Sequence, residues 1–237
     1  MKLSAPIFRL KRQAKLMARQ EAIPLHEAQD RLARDEGFQR WSHLAAHHGN
    51  ITLAQEVLDQ LDLGDLVLLA GKRYQGKTML AFDLIVEALK RRRSSRLFSL
   101  DENGPDIEHR LEAAGVDLAA SSAFFSYDTS DEISAAYIIE RCSKANSGAL
   151  IVIDYLQMLD QQRSKPVLAD QVEALKVFAE RSQSTIVLLS QIDRRFDRSQ
   201  RTFPDPEDIR LPNPIDLNQF AKTCIIHDGE VKVGIAA

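Results

Sequence analysis

The chain holds little cysteine, few aromatics and no long apolar run. With only Cys142 and Cys224, a disulfide scaffold is excluded, and neither thiol has a Cys or His neighbour at metal-ligand spacing. No hydrophobic stretch approaches the length that spans a bilayer. The N-terminus "MKLSAPIFRLKRQAKLMARQ" lacks the apolar centre and small-residue cleavage site of a secretion signal, so the cytosol is the expected compartment and no membrane partner is expected. Ten glycines and eight prolines in 237 residues are too few for a fibrous or disordered chain. Internal repeats and low-complexity segments are absent as well.

Charge is ordinary in total and uneven in place. The net charge is −3, yet six basic residues and no acid lie between Lys2 and Arg19. Such a segment is suited to nucleic acid or to an acidic protein surface, and a solvated helix face explains it equally well. Residues 1–48 read as a small helical module. "IFRLKRQAKLMA" places Ile7, Leu10, Ala14 and Met17 on one apolar stripe, "LHEAQDRLARDEGF" stops at Gly37, and "FQRWSHLAAHH" supplies Phe38, Trp41 and Leu44 as core. His43, His47 and His48 lack a fourth ligand and are not read as a metal site. Residues 49–63 form a helical connector.

From residue 64 to 237 the pattern changes to short apolar runs alternating with amphipathic helices. Strands are expected at 65–70, 96–100, 123–128, 149–154 and 184–190, with helices at 77–92, 105–114, 131–145 and 168–182, and one or two closing strands in the tail. Continuous apolar strands between helices indicate an α/β fold with a mostly parallel sheet covered on both faces.

Four stretches carry chemistry. "GKRYQGKT" runs from Gly71 to Thr78, follows an apolar strand and opens a helix. This GxxxxGK(S/T) spacing cradles nucleotide phosphates on backbone N–H groups and the helix N-terminus. Gly71, Tyr74, Gln75, Gly76, Lys77, Thr78 and Met79 are the expected nucleotide contacts, with Lys77 at the β- and γ-phosphates and the Thr78 hydroxyl on Mg²⁺. "ALIVID" delivers Asp154 to a strand's carboxyl end, where it holds Mg²⁺ or caps the next helix. "STIVLLSQIDRRFDRSQR" ends a strand at Gln191, a neutral amide suited to orienting water or sensing the γ-phosphate. Arg194, Arg195, Arg198 and Arg201 follow, as a nucleic-acid grip or as a solvated loop. "RLFSLDE" ends in Asp101 and Glu102, either of which could polarise the attacking water, with N-capping as the other reading of Asp101. The run "KRRRSSR" (90–96) complements the dipole at the end of the preceding helix.

Together "GKRYQGKT", "LFSLDE", "IVIDYLQML", "IVLLSQIDRR" and "PDPEDIRLPNPIDLNQFAKTCIIHDG" resemble the RecA-type ATPase domain of DnaB-type replicative DNA helicases, from about Gly64 to Gly229, roughly 70% of the chain. The resemblance implies a RecA-like sheet, ATP and Mg²⁺ as ligands, single-stranded DNA as partner and assembly into a ring, commonly a hexamer. It assigns Lys77 and Thr78 to the triphosphate and Mg²⁺, Asp154 to the metal shell, Gln191 to phosphate sensing and the loop from Arg194 to Arg201 to DNA. This chain departs from the pattern in four places. Asp101 stands where the helicases have a catalytic glutamate, with Glu102 next to it. Tyr74 stands where they often have Gly or Ser. Lys232 is the one candidate for a basic finger after the "IH" strand, and the module at 1–48 replaces the usual N-terminal domain. An interaction module that binds ATP, hydrolyses it slowly and meets a protein partner through residues 1–48 is the alternative function.

Overall fold

The structure is a computed structural model that describes residues 7–48, 53–143, 147–160, 166–199, 201–211, 213 and 215–235. The chain divides into two compact units, Met1–Glu56 and Val57–Ala237.

In the first unit, α1 (Ile7–Gln20), α2 (Leu25–Asp35) and α3 (Trp41–His48) follow the expected helical stripes. Leu10, Ala33 and Leu44 form a buried core, with Phe38 and Trp41 packed against it. Both aromatics therefore serve packing. Pro24, whose φ of −59° suits a helix entry, precedes α2. Gly37, at φ +84°, ends it, donating its N–H to the Arg34 carbonyl while Phe38 N–H reaches Ala33 O. Asp30 accepts from Trp41 N–H at 2.9 Å and so fixes the start of α3. The side chains of His43, His47, His48 and Arg198 lie outside the described residues.

The short helix α4 (Leu53–Leu58) leads to the second unit. Its elements are β1 (Leu66–Gly71), α5 (Lys77–Lys90), β2 (Ser95–Ser99), α6 (Gly104–Ala113), α7 (Leu118–Ser121), β3 (Phe125–Asp128), α8 (Ala135–Cys142), β4 (Leu150–Asp154), α9 (Leu168–Ser182), β5 (Thr185–Ile192), β6 (Ile209–Arg210), β7 (Lys222–His227) and β8 (Glu230–Ile235). The sheet runs β3-β2-β4-β5-β1-β7-β8, with β6 paired to β5. All pairings through β7 are parallel; β6 and β8 are the antiparallel additions. Every residue of β1 and β4 is buried, as a strand covered on both faces requires. The tail resolves into both closing strands because Asp228 (φ +47°) and Gly229 (φ +75°) make the tight turn that joins β7 to β8.

Three expectations are corrected. The helix expected from residue 131 starts at Ala135, because the Ser134 hydroxyl accepts from Tyr137 N–H and buried Gln171 Oε1 takes the Ala135 N–H at 3.0 Å. Helix α7 and strand β6 were not anticipated; each is too short to carry a period. Finally, the run at 90–96 does more than complement a dipole. Arg93 reaches across to donate to Gly148 O (2.6 Å), Ala149 O (3.3 Å) and Thr185 Oγ1 (2.5 Å), bracing the starts of β4 and β5.

Candidate nucleotide and phosphate-backbone site

The parallel register brings the sequence's separate motifs to one edge of the sheet. Gly71, the last residue of β1, pairs with Gln191 on β5 and with Ile226 on β7. Ser99, at the end of β2, pairs with Asp154 at the end of β4. Gln191, Asp154 and the Asp101–Glu102 turn thus surround the loop between β1 and α5 at the carboxyl ends of the strands, where open α/β sheets bind ligands.

That loop is held from below and open above. A Cβ on Gly71 would lie 2.5 Å from Ile226 Cγ2 and 3.2 Å from Ile226 O, so only glycine lets the loop leave the strand this close to β7. Gly76 takes φ +90° and leads directly into α5, where Leu80 N–H bonds Gly76 O at 2.8 Å. Gln75 Oε1 accepts from Asp228 N–H at 3.0 Å, tying the loop to the β7–β8 turn. Tyr74 adopts φ +62° with its side chain fully exposed. It bears the left-handed geometry without any packing to offset it.

Asp154 is 2% exposed. Its carboxylate lies near the Thr78 side chain and Lys77, and its Oδ1 has no hydrogen-bond partner. Burial pushes the carboxyl above its ordinary range; Lys77 and Thr78 pull it back, and Asp101 and Glu102 push it further up. Those causes bring Lys77, Thr78, Asp154, Asp101 and Glu102 within one electrostatic neighbourhood. A buried carboxylate with a free oxygen beside a hydroxyl is the donor set of a hard divalent cation, and Thr78 with Asp154 fits Mg²⁺.

The adjacent acids differ. Glu102 is mostly buried and takes Arg110 at 2.8 Å, and its backbone N–H donates to Ser99 Oγ. Asp101 is exposed. The cap of α6 is Asn103, which accepts from Asp106 N–H at 3.0 Å, so the capping reading of Asp101 is overturned. Arg110 also reaches Met79 Sδ at 2.9 Å and stacks on Phe82, which turns Met79 toward α6.

Beyond Gln191 a turn spans Arg194–Arg198, and the expected arginines there and after it have different surroundings. Arg195 bonds Asp193, and Arg201 pairs with Asp205 and with Asp208. Arg194 is exposed and lines a cavity of about 680 Å³ with Lys72, Arg73, Gln191, Asp193, Asp197 and Arg210. Lys72 pairs with Asp197 and lies 4.6 Å from the Phe196 ring centroid. Sequence reasoning did not single out Lys72 or Arg210 as site residues. Arg210 stands opposite Gln191 only through the β5–β6 pairing, and its carbonyl accepts from Ser190 and Gln157. Its one sequence signal was its place in the helicase-like "EDIRLP". Lys232 lies 4.0 Å from the Phe203 ring centroid, and Phe196 and Phe203 both meet His227 edge-on.

Comparison with known proteins bears on the fold and on the second half of the chain. Residues 113–219 match the DnaB-like helicase C terminal domain, a segment that contains Asp154, Gln191 and Arg210 and lies after the phosphate loop. Similar solved structures include one described as an ATPase domain (20% identity, 83% of this chain and 87% of that one, TM-score 0.58). A DnaB-like replicative helicase described with its primase interactions is similar at 18% identity (97% of this chain, 72% of that one, TM-score 0.60). So is a KaiC-like protein, PH0186 from Pyrococcus horikoshii OT3, at 16% identity (72% and 76%, TM-score 0.53). No curated protein matches. The resemblance to DnaB-type helicase ATPase domains therefore holds, and the fold is that of the RecA-like P-loop proteins.

Proposed function

We propose that this chain is an Mg²⁺-dependent ATPase of the DnaB/RecA kind, a helicase-like enzyme that grips single-stranded DNA beside its nucleotide. The observation that carries the reading is the meeting of the Gly71–Thr78 loop, buried Asp154 and Gln191 at one sheet edge. Backbone N–H groups of the loop and the N-terminus of α5 receive the phosphates, and Lys77 adds a cation at the γ end. Thr78 and Asp154 would hold Mg²⁺, which when bound neutralises charge developing on the transferred phosphoryl group. Asp101, exposed and not drawn off by Arg110, orients the attacking water, while Glu102 with Arg110 supports the turn that carries it. Gln191 contacts the γ-phosphate position and passes its occupancy to the following turn.

The DNA grip falls to Arg194 with Arg73 and Arg210. They line the same cavity, whereas Arg195 and Arg201 are held by carboxylates of their own segment. A homo-oligomer, possible as a hexameric ring, would complete the site. The test is ATPase turnover measured with and without oligo-dT, alongside light-scattering mass. Turnover should rise with single-stranded DNA and with protein concentration, and Lys77→Ala should remove ATP binding. Turnover indifferent to both DNA and concentration would sink the motor. It would leave the second reading, a slow nucleotide-dependent interaction module, which the pairing of Glu102, Arg195 and Arg201 favours.

A further inference from the structure

The helical unit separates charge in a way the ATPase reading does not use. Residues 1–48 hold nine basic and five acidic side chains, while the remainder holds 22 basic and 29 acidic. A chain that is acidic overall thus carries a cationic module. Within it, α1 contains no acid at all.

The placement of those cations follows from packing. Leu10 and Ala14 are buried, so the apolar stripe of α1 is turned inward. Lys11, Lys15 and Arg19 are exposed and lie at successive four-residue steps. At 1.5 Å of rise per residue, the row spans about 12 Å. Three of the five carboxylates in residues 1–48 are occupied elsewhere. Glu21 and Glu27 both take Arg31, at 2.7 and 2.8 Å, and Asp30 takes Trp41 N–H. No ion pair joins Lys11, Lys15 or Arg19 to a carboxylate among the described residues.

From this we infer that the helical unit binds the phosphate backbone of nucleic acid through the Lys11–Lys15–Arg19 row, independently of the nucleotide site. One strand of a DNA duplex presents a charge about every 3.4 Å of helix axis, so the row spans the axial rise of about three to four phosphates. Long flexible side chains follow that spacing without a fixed register, which gives affinity without base reading. A membrane surface is the poorer match. An interfacial helix needs its apolar face free to enter the lipid, and here that face is the unit's core.

The experiment uses the full chain without ATP, and repeats it in a Lys77→Ala background so that nucleotide binding plays no part. Fluorescence anisotropy with labelled oligo-dT, oligo-U and a DNA duplex is followed between about 50 and 200 mM salt. Replacing Lys11, Lys15 and Arg19 together by Gln should flatten the log K against log salt slope by about 2 on single strands, three contacts at about 0.7 each. ATP binding and basal turnover should not change. The charge-preserving set Lys11→Arg, Lys15→Arg and Arg19→Lys should keep the slope, which separates lost charge from lost folding. Oligo-dT and oligo-U should lose affinity alike. A Gln variant with unaltered slope overturns the inference. So does a loss confined to phosphatidylserine vesicles, which would make the face a membrane contact.

Discussion

Asp154→Asn should stabilise the nucleotide-free protein while disabling its chemistry. The wild-type carboxylate is 2% exposed with one oxygen unpartnered, and burial holds its pKa above the ordinary 3.8. The sign follows from linkage. Where the folded pKa is raised, the native state keeps its proton at pH values at which the unfolded chain has already released it. Stability therefore falls as pH climbs from 3.8 through the raised value, and the loss is complete above it. Asparagine keeps the shape of the side chain and carries no charge to desolvate. An unsatisfied buried polar group costs about 1–3 kcal/mol, and more when charged. Exchanging a charged orphan for a neutral one should recover about 1 kcal/mol, or about 2–4 °C in Tm for a chain of this size. Differential scanning fluorimetry across pH is the assay. The variant's advantage should be absent near pH 4 and should grow as pH rises, and Mg²⁺-ATP should raise the Tm of the wild type more than that of the variant. A variant that melts below wild type at pH 8, or whose difference from wild type ignores pH, would refute the reasoning.

Three further outcomes follow from the same geometry. Tyr74→Gly removes a left-handed penalty of about 1–2 kcal/mol against about 0.5–1 kcal/mol of added chain entropy, so Tm should rise by about 1–3 °C; Tyr74→Ala, which keeps the strained φ, should show no gain. Arg93→Ala strips a charged donor from Gly148 O, Ala149 O and Thr185 Oγ1, and calorimetry should record a loss of about 2–3 kcal/mol, about 5–10 °C in Tm. Asp101→Asn should lower kcat by about 10²-fold or more with little change in ATP affinity; Glu102→Gln, which leaves Arg110 short of its partner, should lower Tm as well as turnover. Equal kinetic losses with unchanged Tm in both variants would show that the two acids act as a pair.

Local chemistry was legible wherever the signal lay within a few neighbouring residues. The apolar runs around Val67, Ile151 and Val187 announced buried parallel strands. Gly71, Gly76, Lys77 and Thr78 announced a phosphate loop, since backbone conformation and chemistry are both written into a single turn. The helical stripe through Leu10 and Ala14 foretold which side of α1 is buried, and therefore which cations face outward. What stayed hidden depended on partners far along the chain. Nothing near Gly71 says that its lost side chain makes room for Ile226, and nothing near Arg93 says that it reaches Gly148 and Thr185. Among the four arginines after Gln191, sequence assigned one role to all, whereas folding paired Arg195 with Asp193 and Arg201 with Asp205 and Asp208, leaving Arg194 to meet Arg73 and Arg210 in one cavity. The surroundings of Asp101 and Glu102 differ for the same reason: Arg110 takes Glu102, and Asn103 rather than Asp101 caps α6. By itself, then, the sequence determined the strands, the phosphate loop and the cationic helix, because periodicity and turn chemistry act between near neighbours. Tertiary structure alone decided which charges remain free, because an ion pair depends on distances that only the packed sheet establishes.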